Sequence, residues 1–233
     1  MAQPRVVAHR GYWKAEGCAQ NSIAALQAAD RIGCYGAELD VWLTADGVPV
    51  VNHDPTIDGI RIEDTTFANL MNKRLSNGEF LPTLQQYLQE AAKLRPQIIL
   101  EVKGHRTAEG DRRCVEKVVE LVRMLQLEEK TEYISFSMAA CLHFHTLLPK
   151  AKVAYLEGSL SPKEVKKLGL TGVDYNFSVF EKHPEWLTEA IKNKVEVNVW
   201  TVDGEEALRR HVNLKGVDII TTNDPNILIE IEK

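Results

Sequence analysis

Short β-branched runs recur along the chain at 6–9, 37–41, 98–103, 132–137, 152–157, 173–178, 195–201 and 217–222. Each is followed by a stretch with apolar residues at helical spacing, at 22–32, 84–94, 108–125, 138–148, 162–168, 185–194, 205–212 and in a short tail from Pro225. Apolar runs of four to eight residues are strands, and the 3.6-residue stretches are amphipathic helices. Strict alternation of this kind predicts an α/β fold with parallel strands and crossover helices. Eight units match a closed (β/α)8 barrel, whose functional groups sit at the C-terminal ends of the strands. An open doubly wound sheet is the alternative, but no Gly-x-Gly-x-x-Gly turn supports a dinucleotide-binding version.

Helix punctuation agrees with this reading. Asn21-Ser22 precedes Ile23, Leu26 and Ala29 as a capping signal ahead of an apolar stripe, and Gly33 is a plausible stop. Ser161-Pro162-Lys163-Glu164 has a capping residue, proline at the first helical position and a glutamate three residues after the cap. One segment breaks the alternation. Val48 to Asn52 is strand-like, yet only Ala45-Asp46-Gly47 separates it from the preceding strand, so the connection is a hairpin. With Asp46 and Gly47 as the central residues of a type I′ turn, Ala45 faces Val48 and Asp40 lies across from His53. Residues 55–82 are then a short polar insertion within a single domain spanning 1–233.

Composition narrows the class. Of 233 residues, 44% are hydrophobic and 26% charged, which excludes collagen-like, disordered and disulfide-scaffold chains. Twenty-eight Lys and Arg against 33 Asp and Glu give a net charge of −5, so there is no basic footprint for nucleic acid or an anionic membrane, and a bound anion needs a local site. No apolar stretch approaches the roughly 20 residues of a membrane span, so integral membrane association is not expected. The start Met1-Ala2-Gln3-Pro4 leaves no room for a leader before the first strand, which favours the cytoplasm as the chain stands and the periplasm or secretion if a leader was trimmed. Cys18, Cys34, Cys114 and Cys141 form no Cys-x-x-Cys pair and are expected as free thiols. Oligomeric state is not legible.

The candidate chemistry lies at strand ends. His9-Arg10-Gly11 closes the first strand and brings an imidazole and a planar guanidinium suited to phosphate. Glu38 and Asp40 lie two residues apart on the second strand and so share a face, as do Glu101 and Lys103 on the next barrel strand. Burying such carboxylates is costly unless a cation or proton compensates. Three together make a hard oxygen cluster suited to one divalent cation, Mg²⁺, Ca²⁺ or Mn²⁺. The plainer alternative is a salt bridge from Lys103 to one acid with the others solvated. His53, followed by Asp54, supplies a second imidazole, so that a general base and a general acid flank the cluster. Paired histidines, an arginine, a lysine and a cation suit a small phosphodiester substrate and the protonation of its departing alcohol.

Ala8-His9-Arg10-Gly11, Gln20-Asn21-Ser22, Glu38-Leu39-Asp40-Val41, Thr44-Ala45-Asp46-Gly47, His53-Asp54-Pro55 and Glu101-Val102-Lys103 together resemble the glycerophosphodiester phosphodiesterase family. Val199-Trp200-Thr201-Val202 and Thr222-Asn223-Asp224-Pro225 resemble its closing motifs, so the similarity spans nearly the whole chain. The resemblance implies a TIM barrel with metal ligands Glu38, Asp40 and Glu101, an acid/base pair of His9 and His53, and phosphate contacts from Arg10 and Lys103. Trp200, at the end of its strand, is expected to pack against the glycerol carbons, the alternative being a barrel-core aromatic, and Asn21 is expected as a further substrate contact. The implied reaction is metal-dependent hydrolysis of glycerophosphodiesters to glycerol 3-phosphate and an alcohol. Where the family usually has Pro-Glu-Asn-Thr, this chain has Ala19-Gln20-Asn21-Ser22, so a carboxylate is replaced by an amide, and the insertion after His53-Asp54 is shortened. Tyr12 and Trp13 are expected at the pocket rim or as loop anchors. His143, His145, His183 and His211 are expected as surface or structural residues, and His105 stays open. A lysophospholipase D-like activity on a larger lipid and a non-catalytic phosphoester-binding barrel remain as alternatives.

Overall fold

The computed structural model describes residues 3–231. From the N-terminal end, β1 (Arg5–Ala8) leads through α1 (Ile23–Ile32) to β2 (Gly36–Leu43), and β3 (Pro49–Val51) returns along β2. A two-stranded ribbon, β4 (Thr56–Ile57) and β5 (Ile60–Arg61), and the one-turn helix α2 (Phe67–Leu70) precede α3 (Leu84–Ala91). The alternation continues as β6 (Gln97–Val102), α4 (Ala108–Met124), β7 (Thr131–Ser135), α5 (Met138–Leu147), β8 (Val153–Tyr155) and α6 (Pro162–Lys167). It ends with β9 (Gly172–Asn176), α7 (Phe177–Lys182), α8 (Glu185–Asn193), β10 (Glu196–Trp200), α9 (Glu205–His211), β11 (Ile219–Thr222) and α10 (Pro225–Ile231). Around the ring the order is β1, β11, β10, β9, β8, β7, β6 and β2, and the pairing of β2 with β1 closes it. The ring pairings are parallel throughout, so the expected eight-stranded barrel is formed, with β3 attached outside it.

Parallel strands covered by helices bury both faces, and all eight residues of β2 are buried. Their alternation separates two environments. Leu39 and Val41 point into the shell between barrel and helices, while Glu38 and Asp40 point inward. Most of the core lies in that shell; α4 contributes Cys114, Val115, Val118, Val119 and Val122 at helical spacing. Inside the barrel Val7, Ile99, Ile134, Leu156 and Ile219 form a smaller apolar layer. Each such side chain contributes roughly 1.5–3 kcal/mol when fully buried. Residues 55–82 cover a third cluster of Trp42, Val50, Ile57, Ile62, Leu70 and Leu81.

Both expected caps are present. Ser22 accepts from the Ala25 N–H at 3.0 Å and Gly33 ends α1 at φ 82°, and Ser161 and Glu164 form a capping box on α6. Two boundaries differ from expectation. The strand expected over 173–178 ends at Asn176, because its side chain accepts from the Ser178 N–H at 3.1 Å and starts α7. The hairpin register is also shifted by one. Its loop has three residues, with Thr44 N donating to the Val48 carbonyl and Gly47 N, at φ 81°, donating to the Thr44 carbonyl. Thr44 Oγ1 also accepts from Val48 N at 2.9 Å and donates to Asp46 Oδ1 at 2.6 Å, fixing the longer loop. Asn52, not His53, therefore lies across from Asp40, donating its N–H to the Asp40 carbonyl at 3.0 Å. Cys34, Cys114 and Cys141 are buried and Cys18 is half-buried, all as free thiols. Among the described residues, no helix is long and apolar enough to cross a membrane.

Candidate active site

The first strand delivers His9 to the mouth, its N–H held by the Thr222 carbonyl at 3.0 Å. The chain then turns through Arg10 and Gly11, at φ 55° and 73°. Gly11 is required twice over: an added Cβ would lie 2.8 Å from Ala25, and the left-handed conformation is strained for a side-chain-bearing residue. This turn aims Arg10 N at Glu38 Oε2, at 2.7 Å, and brings Arg10 Nε to 3.7 Å from Asp40 Oδ2. Gln20 accepts from Arg10 Nη1 at 2.6 Å, so the amide orients the guanidinium without supplying charge.

Glu38, Asp40 and Glu101 converge as β2 and β6 run side by side, with Asp40 and Glu101 as direct register partners. One oxygen from each lies within 4.8 Å of the others, and all three residues are buried. Lys103 Nζ lies 3.1 Å from Asp40 Oδ1 and 2.8 Å from Glu101 Oε1. Burial, then Asp40 and Glu101, push the Glu38 carboxyl well above its usual range. Burial and Asp40 raise Glu101 to about 8. Burial also opposes ionisation of Asp40, but Lys103, His53, the Asn21 bond and Arg10 together hold its carboxyl below the usual value. Without a divalent cation, protons offset the charge that the half-buried Arg10 and Lys103 leave unbalanced.

The donor set fits such a cation. Glu38 Oε1 is buried with no hydrogen-bond partner, and Glu101 Oε1 meets Lys103 at ion-pair distance without hydrogen-bond alignment. Three carboxylates with free oxygen lone pairs can hold a hard divalent metal.

Two imidazoles border the same cavity of about 230 Å³, which is also lined by Arg10, Lys103, Phe136 and Trp200. His9 Nδ1 lies 2.9 Å from Asn223 Oδ1, an acceptor that also receives Trp13 Nε1 at 2.8 Å. Asn223 is itself fixed by Asp203, through its N–H at 2.8 Å and its Nδ2 at 2.7 Å. The carbonyl acceptor makes Nδ1 the protonated nitrogen and leaves Nε2 unprotonated in the neutral ring. Burial and then Arg10 lower the His9 pKa to about 4. His53 is oriented by Asp54, whose carboxylate lies 2.8 Å from Nδ1, and its carbonyl receives Trp42 Nε1 at 3.1 Å.

Asn21 departs from the expected substrate contact. It is buried at φ 62°, donating Nδ2 to Asp40 Oδ2 at 2.8 Å and accepting the Asp40 N–H at 3.1 Å. Both ends of its amide are used to hold Asp40. Trp200 does line the cavity, with Nε1 on the Asp174 carbonyl at 2.8 Å and its ring edge-on to Phe136 at 5.7 Å. Tyr12 packs against the main core, whereas Trp13 contacts Asn223. His105 is structural: Nδ1 donates to the Lys103 carbonyl at 2.8 Å and Nε2 accepts the Leu43 N–H at 3.1 Å. His143 pairs with Glu116, His183 stacks on Trp186, and His211 bonds the Ala207 carbonyl. Sequence reasoning did not single out Asn223 or Asp203 as supports for His9. The signal lay in the Thr222-Asn223-Asp224-Pro225 motif.

The sequence profile of the Glycerophosphoryl diester phosphodiesterase family matches residues 9–227. The chain belongs to this family. A glycerophosphodiester phosphodiesterase from Caldanaerobacter subterraneus subsp. tengcongensis is 29% identical over 97% of this chain and 96% of that protein. The crystal structure of a glycerophosphodiester phosphodiesterase from Parabacteroides distasonis is 47% identical, with a TM-score of 0.96 over 98% of this chain and 96% of the other. An Oleispira antarctica phosphodiesterase in complex with the product sn-glycerol-3-phosphate shares the fold, with a TM-score of 0.86 at 22% identity over 99% of this chain and 98% of the other. As a glycerophosphodiester phosphodiesterase, this family member is a phosphoric diester hydrolase built on a TIM barrel.

Proposed function

We propose that the protein hydrolyses glycerophosphodiesters to glycerol 3-phosphate and an alcohol, with a divalent cation on Glu38, Asp40 and Glu101 and proton transfer by His9 and His53. The observation that carries this reading is one cavity bordered by both imidazoles, Arg10, Lys103, Glu38 and Glu101. The Oleispira neighbour, whose complex contains sn-glycerol-3-phosphate, supports the product.

Mg²⁺, Ca²⁺ or Mn²⁺ on the triad would supply Lewis-acid stabilisation of charge on the phosphate oxygens. Arg10 and Lys103 bring fixed positive charge to the same oxygens. His9 enters the cycle uncharged, because burial and Arg10 lower its pKa to about 4. It therefore takes a proton of the attacking water on Nε2 as the new P–O bond forms and the bond to the alcohol oxygen breaks, while Asn223 holds the Nδ1 proton. His53, backed by Asp54, gives a proton to the leaving alcohol oxygen. The two rings then exchange protons with solvent to restore the starting state. A cavity of about 230 Å³ suits a small diester.

Turnover of glycerophosphocholine and of bis(p-nitrophenyl) phosphate, with and without added divalent metal, tests this reading. Metal-dependent hydrolysis of both is expected, with kcat falling at least about 10²-fold in His9→Gln and in His53→Gln. Near-normal rates in both variants would remove the two-histidine assignment.

A further inference from the structure

Asp174 is an acid that the chemistry above does not use. It lies on β9, projects into the barrel and is 2% exposed. It lines the site cavity, and also a smaller cavity of about 20 Å³ beneath it. Its Oδ1 is fully buried and has no hydrogen-bond partner. Asn198 lies beside the carboxyl and helps to hold its charge, but Oδ1 is left without a hydrogen bond. Asn198, its register partner on β10, donates Nδ2 to Thr221 Oγ1 at 2.9 Å and accepts from that hydroxyl at 3.1 Å. Below, Glu132 and Glu196 are matched by Lys152, and Glu196 also pairs with Arg5. An unsatisfied buried carboxyl costs on the order of 1–3 kcal/mol, and such atoms in a ligand cavity mark a missing partner.

The walls around it restrict what that partner is. Ile134, Leu156, Phe136 and Trp200 line the same cavity as the acid and give it apolar walls. Trp200 cannot serve as donor, since its indole N–H is already on the Asp174 backbone carbonyl. A cationic alcohol is disfavoured, because Lys103 Nζ already lies 6.0 Å from the Phe136 ring centroid and Arg10 borders the same space. A neutral hydroxyl is the matching group, because it both donates and accepts.

We propose that Asp174 is a specificity residue that hydrogen-bonds a hydroxyl of the glycerol moiety while Trp200 and Leu156 pack against its carbons. The proposal rests on the glycerophosphodiester reading and assigns one end of the substrate within it. Burial first, with Glu132 and Glu196 adding to it, raises Asp174 to about 7 despite Asn198, which agrees with an acid that reaches neutral pH partly protonated and able to donate.

Calorimetric titration of the purified protein with glycerol 3-phosphate and with propyl phosphate, which lacks both hydroxyls, tests the assignment without relying on turnover. The wild type is expected to favour glycerol 3-phosphate by about ten- to a hundredfold. Asp174→Leu should erase that preference, and Asp174→Asn, which keeps a donor and an acceptor, should retain most of it. In turnover, Asp174→Leu should lower kcat/KM on glycerophosphocholine about tenfold or more, with bis(p-nitrophenyl) phosphate changed less than about threefold. Equal binding of the two phosphates by the wild type overturns the proposal even if the leucine variant does not fold. Equal losses on both ligands, as for a structural acid satisfied by water in the lower cavity, overturn it as well. A wild type that hydrolyses no diester refutes the proposed reaction instead and leaves the binding comparison intact.

Discussion

His9 Nδ1 lies 2.9 Å from the side-chain carbonyl of Asn223, a residue 214 positions later in the chain. The barrel closes between β1 and β11, so the first and last motifs of the sequence become neighbours at that seam. Asn223 sets the tautomer and direction of the ring. Asn223→Ala should therefore lower kcat by roughly 10- to 100-fold with KM little changed, by analogy with the loss of groups that orient functional histidines. Steady-state kinetics of this variant against the wild type checks it, and an unchanged kcat would assign Asn223 to loop stability alone.

The same histidine sets an acid limit. With a pKa lowered to about 4, His9 is uncharged and basic above that value and loses basicity as the pH falls through it. The acidic limb of kcat/KM for the free enzyme should accordingly lie near pH 4, below the ordinary imidazole range. A pH profile measured with saturating metal decides this. A limb centred near 6.5 would mean that His9 is not held as the structure shows.

Glu101 gives a stability prediction with a definite sign. Its carboxyl titrates near 8 in the folded protein against a usual value of 4.5, so between these values the folded state holds a proton that the unfolded state has released. Stability of the metal-free protein should therefore fall as the pH rises from about 5 to 8. Glu101→Gln should flatten that slope while abolishing metal-dependent turnover. Thermal melts across this range, with EDTA and then with excess Mg²⁺ or Ca²⁺, provide the readout, and the added cation should raise Tm most at the alkaline end.

Gln20 holds Arg10 with a single hydrogen bond at 2.6 Å from an exposed position. Such a bond contributes about 1 kcal/mol, so Gln20→Ala should raise KM roughly fivefold with kcat nearly unchanged. Gln20→Glu should keep KM at or below the wild-type value, since it adds charge to the same contact. A large kcat loss in Gln20→Ala would show that the amide acts on the reacting groups rather than on the guanidinium.

Gly11→Ala should be severe for a different reason. The added methyl would meet Ala25 at 2.8 Å at a backbone φ of 73°. Strain of this kind costs about 1–3 kcal/mol, and relief by backbone movement would displace Arg10. A lowered Tm together with lost activity is expected, whereas an alanine variant with native Tm would show that the turn has room.

The periodic pattern of apolar positions was enough to determine the eight alternating units. Parallel strands under helices must be apolar on both faces, so polar residues inside β2 and β6 stand out as an inward-facing site. Glu38, Asp40 and Glu101 were legible for that reason, and His9 and His53 as imidazoles just beyond the ends of neighbouring strands. The hairpin register was not, because a type I′ turn and a three-residue loop share the residues Asp46-Gly47, and the choice was made by Thr44 Oγ1, which donates to Asp46 Oδ1 and accepts from Val48 N. Asn21 was placed at the substrate by motif alone, while the left-handed turn at its backbone directs its amide onto Asp40. Asn223 and Asp203 escaped notice as supports for His9, and Asp174 as an unsatisfied acid, because burial and missing hydrogen bonds belong to packing. Local periodicity and strand-end chemistry are properties of neighbouring residues; which carboxylate lacks a partner depends on strands that meet only when the barrel closes.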